Sequence, residues 1–384
     1  MALHFTREEF ARRQKATIKE LARRDLHGML MFRQESMYYL TGYETFGYCF
    51  FQCLYLGADG TLTLLTRLPD TFVARQTSII KDIRIWTNLP DANPSMDLRR
   101  ILEEHGCRGK RLGIELDAYG LTGAIYRRVM AALTDFVNLE DVSDLVSKQR
   151  VIKSPAEMVY ARKAGKLADA ALVEANRLAV PGADEGEILA AMQGAVFKGG
   201  GEYPGNEFII GSGKKALLGR HTSGRQRLKK NDQLTIEWAG TYRRYHAAMM
   251  RTILTGKPSK RHLDMHKAAV DAHWASAAQI RPGRTFGDVF DAYARSLDRR
   301  GHRKHRVSAT GYSMGTTFTP TWMDWPMFWH GNPVVIEPGM VLFLHSLVFD
   351  ERRWLAMAPG QTFEVTARGN KSLSRLPLDL VVNG

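Results

Sequence analysis

Apolar positions in the first part of the chain switch between two periods. From Thr6 to Arg24 they recur at helical spacing, whereas Gly28–Phe32 and Cys49–Leu56 read as buried strands. Gly60 supplies a turn, and Leu62–Leu65 is a further strand. This alternation predicts an α/β domain with a central sheet over residues 1–150. At Lys153-Ser154-Pro155-Ala156-Glu157 the pattern restarts: Ser154 is suited to cap a helix, Pro155 to its first position and Glu157 to close a capping box. A second domain is therefore expected over residues 151–384.

Within it, Pro181-Gly182-Ala183-Asp184-Glu185-Gly186-Glu187-Ile188 is echoed by Pro282-Gly283-Arg284-Thr285-Phe286-Gly287-Asp288-Val289. Each copy opens a helix with a polar cap and an acidic first turn. Two unrelated turns would look similar, because Pro-Gly is a common turn signal. The alternative is a duplicated half-domain, each half a helix pair followed by strands, giving two sheets related by pseudo-symmetry around a cleft. Strand patterns follow at Phe208–Ile210, Gln233–Trp238, Tyr245–Leu254, Val341–Phe349 and Thr362–Thr366.

Composition narrows the function classes. Hydrophobic residues at 44% and charged residues at 24% are ordinary for a globular protein. No run reaches the 18 or so apolar residues of a membrane span, and the first residues lack the apolar segment of a signal peptide, so a cytoplasmic location and no membrane partner are expected. Cys49, Cys53 and Cys107 form no CxxC pair and read as reduced thiols. The net charge of +14 is spread out, and its densest run, Arg299–Arg306, has no interleaved aromatics, so no nucleic-acid partner is expected. Gly199-Gly200-Gly201 is not followed by the lysine and hydroxyl residue of a phosphate loop.

Five motifs in order carry a resemblance: Lys153–Glu157; Phe208-Ile209-Ile210-Gly211-Ser212-Gly213; the hairpin from Glu237-Trp238-Ala239-Gly240 to Arg251-Thr252; Gly311-Tyr312-Ser313-Met314-Gly315; and Glu337-Pro338-Gly339-Met340. Together they resemble the pita-bread superfamily, which holds X-Pro aminopeptidase, prolidase, creatinase and ectoine hydrolase. The first domain looks like the amino-terminal domain of creatinase and prolidase. The resemblance implies an α/β first domain, an α+β pita-bread second domain with a pseudo-twofold repeat, and a homodimer in which Tyr39–Phe46 approaches the partner's second domain. As sequence alone, Tyr38–Tyr43 is an aromatic strand and turn.

The metallopeptidases of this superfamily bind two metal ions through two aspartates, a histidine and two glutamates. By motif those positions fall on Glu237, Ala248, Tyr312, His345 and Gly360 or Gln361, so each departs from the pattern. One glutamate does not neutralise two divalent cations. The chain thus looks like creatinase and ectoine hydrolase, the members that work without the metal pair, and no cofactor is expected. The expected activity is hydrolysis of a C–N bond in a small polar molecule, creatine-like or ectoine-like. Glu237, near the usual 4.3, would orient or deprotonate water or attack as a nucleophile, and a histidine near 6.5 would protonate the leaving nitrogen. His345 is the first candidate for that histidine. His246 shares a strand face with Ala248, and His221 lies near the superfamily's substrate-handling histidine. Tyr312 would donate to developing negative charge. Asp324, Trp325 and Tyr245 are expected among the substrate contacts. Arg251 fits a structural ion pair. Two other readings stay open: an X-Pro peptidase with one metal on Glu237, His246 and His345, and a non-catalytic binding module.

Overall fold

The structure is a computed structural model that describes residues 3–220 and 226–384; His221 therefore lies outside the described residues. Two compact units are present, Met1–Arg150 and Val151–Gly384. No helix among the described residues is long and apolar enough to cross a membrane.

The first unit is a six-stranded sheet with helices. Its strands are β1 Gly28–Met31, β2 Cys53–Gly57, β3 Leu62–Arg67, β4 Asp82–Trp86, β5 Arg111–Ile114 and β6 Asn138–Asp141, in the order β4-β3-β2-β1-β5-β6. The predicted helix is Arg7–Arg23, capped by Thr6. Two local expectations fail. Residues 47–49 form a 3₁₀ turn, so β2 starts only at Cys53. Tyr38–Thr41 ends a helix, Gln34–Thr41, closed by Gly42 at φ +85°. Its aromatic residues Tyr38 and Tyr39, with Tyr43 beyond it, are buried in this unit's own core, and the Arg13 guanidinium packs 4.3 Å from the Tyr39 ring centre. Of the segment expected to meet a partner, the large exposed apolar side chain is Phe46.

The second unit holds β7 Ile209–Ser212, β8 Asp232–Tyr242, β9 Tyr245–Thr255, β10 Ala309–Ser313, β11 Asp324–Trp329, β12 Val341–His345, β13 Val348–Asp350, β14 Leu355–Met357, β15 Gly360–Thr366, β16 Gly369–Ser372 and β17 Val381–Asn383. The main sheet runs β11-β10-β12-β15-β9-β8-β7, with β16 on β15 and β17 on β9. The predicted strand Val341–Phe349 is two pieces, because β13 leaves the sheet to pair with β14.

The internal repeat is visible in hydrogen bonds. Gly182 (φ +85°) and Gly283 (φ +83°) occupy the same left-handed turn position, which glycine enters without steric cost. Gly182 N–H donates to Leu228 O at 2.7 Å and Gly283 N–H to Ile336 O at 3.0 Å; Leu228 N–H returns to Ala183 O and Ile336 N–H to Arg284 O. Each turn separates the helices of one pair, Pro155–Leu178 with Glu185–Lys198 and Lys260–Ala277 with Phe286–Arg299. The two halves do not form separate sheets. They merge into one, joined where Gly360 of β15 faces Met250 of β9.

The β8–β9 hairpin sets the register of everything that follows. Arg243 (φ +50°) and Arg244 (φ +64°) form its two-residue turn between Tyr242 and Tyr245. Non-glycine residues pay for this conformation, and the Glu202 carboxylate offsets the cost by accepting both N–H groups, Arg243 at 3.2 Å and Arg244 at 3.0 Å. Trp238 and Tyr245 then face helix Pro155–Leu178, through Trp238 Nε1–H to Ala168 O (3.0 Å) and Tyr245 O–H to Glu157 Oε1 (2.8 Å). Alternation turns Glu237 the other way.

Candidate active site

The register places Ile209, Glu237, Met250, Gly360 and His345 in one row across five adjacent strands, β7-β8-β9-β15-β12. The row crosses the seam between the two half-domains. All but Gly360 line a cavity of about 260 Å³ whose other walls include Arg220, Tyr312, Trp322, Met323 and Met327.

Tyr312 enters from the far side. It lies on β10, four strands from β8, which in a flat sheet would be about 19 Å away. Yet its hydroxyl donates to Glu237 Oε1 at 3.3 Å and accepts from Trp322 Nε1–H at 2.8 Å. The sheet must curl for this contact to form. The three groups make a directed chain, indole to phenol to carboxyl, that ends on Glu237.

Burial decides the protonation states. Desolvation pushes Glu237 up to about 7, against the opposing pull of the Tyr312 hydrogen bond and the Arg220 charge. The same cause drives Tyr312 well above the ordinary tyrosine range. Burial pushes His345 down to about 4, against the opposing pull of its own backbone, and its buried Nδ1 has no hydrogen-bond partner among the described residues. The expected pairing of an ionised glutamate with a protonated histidine is thereby reversed. Between about pH 4 and 7 the prevailing state is a protonated Glu237 and a neutral His345.

The other sequence candidates divide. His246 does face the inner side, but it pairs with Thr241 rather than standing near Glu237. Its Nε2 accepts Gly205 N–H at 2.8 Å, so the ring proton sits on Nδ1, facing Gly315 O at 3.3 Å and Thr317 Oγ1 at 3.2 Å. With both nitrogens committed and burial lowering it to about 4, His246 is a structural strut. Tyr245 is spent on Glu157 on the opposite face. Neither Asp324 nor Trp325 lines the cavity: Asp324 Oδ1 accepts Trp325 N–H at 3.0 Å, and Trp325 is 42% exposed. Among the described residues Arg251 makes no ion pair; its guanidinium donates to the carbonyls of Met250 (2.8 Å), Gly360 (2.7 Å) and Pro377 (3.2 Å).

Sequence reading missed Met250, Arg220 and Trp322 as cavity walls. Met250 was within reach, since it lies two residues beyond Ala248 on the same face of the strand, just before Arg251-Thr252. The role of Trp322 depends on the curl of the sheet and has no local signal.

The site does not fit a pair of divalent cations. Of the five positions only Glu237 supplies a carboxylate, with His345 the one imidazole; Ala248 and Gly360 supply no side-chain donor. A side chain at Gly360 would begin 3.1 Å from Met250 Cβ and 3.2 Å from His345 Cβ. Among the described residues no group of three or more His, Cys, Asp or Glu could hold a metal ion. With His246 elsewhere, the two-histidine, one-carboxylate set is not assembled either.

Tyr312→Phe tests the chain. It removes the hydrogen bond that lowers Glu237 and leaves Trp322 Nε1–H without its acceptor, so the Glu237 titration should move upward from about 7. Stability should fall by about 1–3 kcal/mol. Infrared titration of the carboxyl band and denaturant melts would measure both.

Comparison with known proteins gives two family matches: residues 160–367 match the model of metallopeptidase family M24, and residues 13–152 match the creatinase/prolidase N-terminal domain. The chain is 26% identical over 401 residues to an ectoine hydrolase of Halomonas elongata, covering 100% of this chain and 99% of that protein. It is 24% identical over 274 residues to an Xaa-Pro dipeptidase of Pyrococcus horikoshii, covering 71% and 75%. Among solved structures it is similar in fold to an Xaa-Pro dipeptidase from Bacillus anthracis, at TM-score 0.85 and 19% identity over 97% of this chain and 99% of that one.

Proposed function

The chain belongs to metallopeptidase family M24 and is a hydrolase, and we propose that it cleaves a C–N bond of a small polar molecule without a metal ion. The observation that carries this reading is the cavity in which Glu237, Tyr312 and His345 converge in place of a metal-ligand set. The substrate class we favour is the ectoine-like or creatine-like one. Support comes from the match to ectoine hydrolase along the whole chain, and from a cavity that suits one small molecule better than an extended peptide.

In this reading neutral His345 takes a proton from water, and protonated Glu237 delivers one to the departing nitrogen. The carboxylate that remains is held by Tyr312 O–H and by the Arg220 charge, both of which lower the Glu237 titration. Glu237 and His345 stand three strands apart in the sheet, so they act from two sides of a molecule bound between them. A metal-dependent peptidase would need further ligands that the five positions do not provide.

The protein purified in metal-free buffer is expected to turn over cyclic amidine or guanidino carboxylates at a rate unchanged by a chelator. Elemental analysis should find far less than one equivalent of divalent metal. Activity that disappears with chelation and returns with Mn, Co or Zn would refute metal independence.

A further inference from the structure

Within the densest basic run of the sequence the fold pairs two arginines with acids: Arg300 with Asp271, and Arg306 with Asp298. Lysines far apart in sequence do the opposite. Lys214 and Lys229, from the two ends of the β7–β8 connection, and Lys257, from the turn after β9, converge with Arg353 and Trp354 on a cavity of about 430 Å³ that shares no residue with the catalytic one. None of the three lysines has a carboxylate within ion-pair distance among the described residues. The acid in the lining, Asp232, turns both oxygens to backbone, accepting Lys229 N–H and Gln233 N–H at 3.0 Å each. Arg353 is paired with Asp350 at 3.2 Å. Three lysines without an ion pair among the described residues thus line one concavity, against the single carboxylate of Asp232. Helix Lys260–Ala277, which begins at its wall, adds the positive end of its dipole.

Trp354 stands over this cavity in a left-handed backbone conformation, φ +55°, unusual for a bulky residue. Its carbonyl accepts from Gln233 Nε2, its indole is half-exposed, and Lys214 Nζ lies 5.1 Å from the ring centre.

We propose that this cavity is a second ligand site that takes a small phosphorylated anion. A single carboxylate would leave most of the charge unmatched, whereas a phosphate chain carries several negative charges that point-like ammonium groups match from several directions. An open concavity of about 430 Å³ fits a small molecule rather than a nucleic-acid strand, which needs an extended groove with stacked aromatics. The two cavities are connected along the chain. Gly213 and Lys214 open the turn Gly213–Leu217 that leads to Gly219 and Arg220, and the hairpin carrying Arg353–Leu355 grows from Leu347 and Phe349, all four leading residues being catalytic-cavity walls.

Isothermal titration of the full chain with tripolyphosphate and with ATP at low salt tests this. One equivalent of either should bind, more weakly as salt rises. The triple variant Lys214→Gln, Lys229→Gln, Lys257→Gln should bind about 10- to 100-fold more weakly, at two- to fivefold per contact, while hydrolase turnover without phosphate stays at the parent rate. Equal affinity for the two probes assigns recognition to the phosphates alone; tighter ATP binding that is lost in Trp354→Ala adds a base stacked on the indole. No binding of either probe at millimolar concentration would overturn the proposal. So would an equal loss in a control triple, Lys15→Gln, Lys19→Gln, Lys81→Gln, because binding would then follow the overall +14 charge and not this cavity.

Discussion

Glu237→Gln is expected to lower turnover by about 10² to 10⁴ and to remove the alkaline limb of the pH–rate profile. Burial brings Glu237 to about 7, so it holds its proton below that pH, and burial brings His345 to about 4, so it is a free base above it. The parent rate should rise through about pH 4 and fall through about pH 7. The glutamine cannot donate a proton, so the upper limb goes; His345→Ala should instead remove the lower one. Since the two residues act in one step, the double variant should cost little more than the worse single change. The limbs belong to the site as a whole, so their disappearance is the diagnostic result. A Glu237→Gln enzyme that lost the acid limb instead would exchange the two roles, with the carboxylate as base. A His345→Ala enzyme at the parent rate would remove His345 from the reaction.

The same substitution should show in stability. Between about pH 4.5 and 7 the folded protein binds a proton on Glu237 that the unfolded chain has released, so this group makes stability fall as pH rises. His345, lowered from 6.5 to about 4, acts in the opposite sense over its own range. The comparison with Glu237→Gln isolates the carboxyl: the variant should gain on the parent as pH rises, by up to about 3 kcal/mol at pH 8. Equal stability at pH 5 and pH 8 would contradict the burial argument.

Arg251→Met is expected to destabilise the second unit by about 3–5 kcal/mol, since it leaves three carbonyls that each cost about 1–3 kcal/mol when buried without a donor. The guanidinium is 5% exposed and lowered only to about 10, so it remains charged at neutral pH. Its loss strands the carbonyls of Met250, Gly360 and Pro377, two of which belong to the row that floors the site. Arg251→Lys should recover little, since a compact ammonium does not reproduce a planar fork spanning several acceptors. Denaturant melts should show the loss, and hydrogen exchange should rise in β9 and β15. The chain has two units, so the transition of the second must be followed separately. A change below about 1 kcal/mol would show that the carbonyls find other donors.

Residue pattern alone determined a good deal. The helix at Arg7–Arg23, the capping box at Ser154, the Pro-Gly repeat and most strands follow from short-range rules, because caps, turns and alternation are satisfied by neighbours in sequence. Glu237, Tyr312 and His345, picked out because polar groups stand where a motif demands ligands, line one cavity. Other features depended on contacts far apart in sequence. An Arg-Arg turn steadied by Glu202 sets the hairpin register, and one pairing at Gly360 and Met250 fuses the halves into a single sheet. Strand parity put His246 on the correct face, but parity does not say how far along the strand the cavity lies, and Gly205 and Gly315 claim that ring. Above all, the raised Glu237 and the lowered His345 have no signature in residue identity. A side chain's titration follows its loss of water, and only the curled sheet decides which groups lose it.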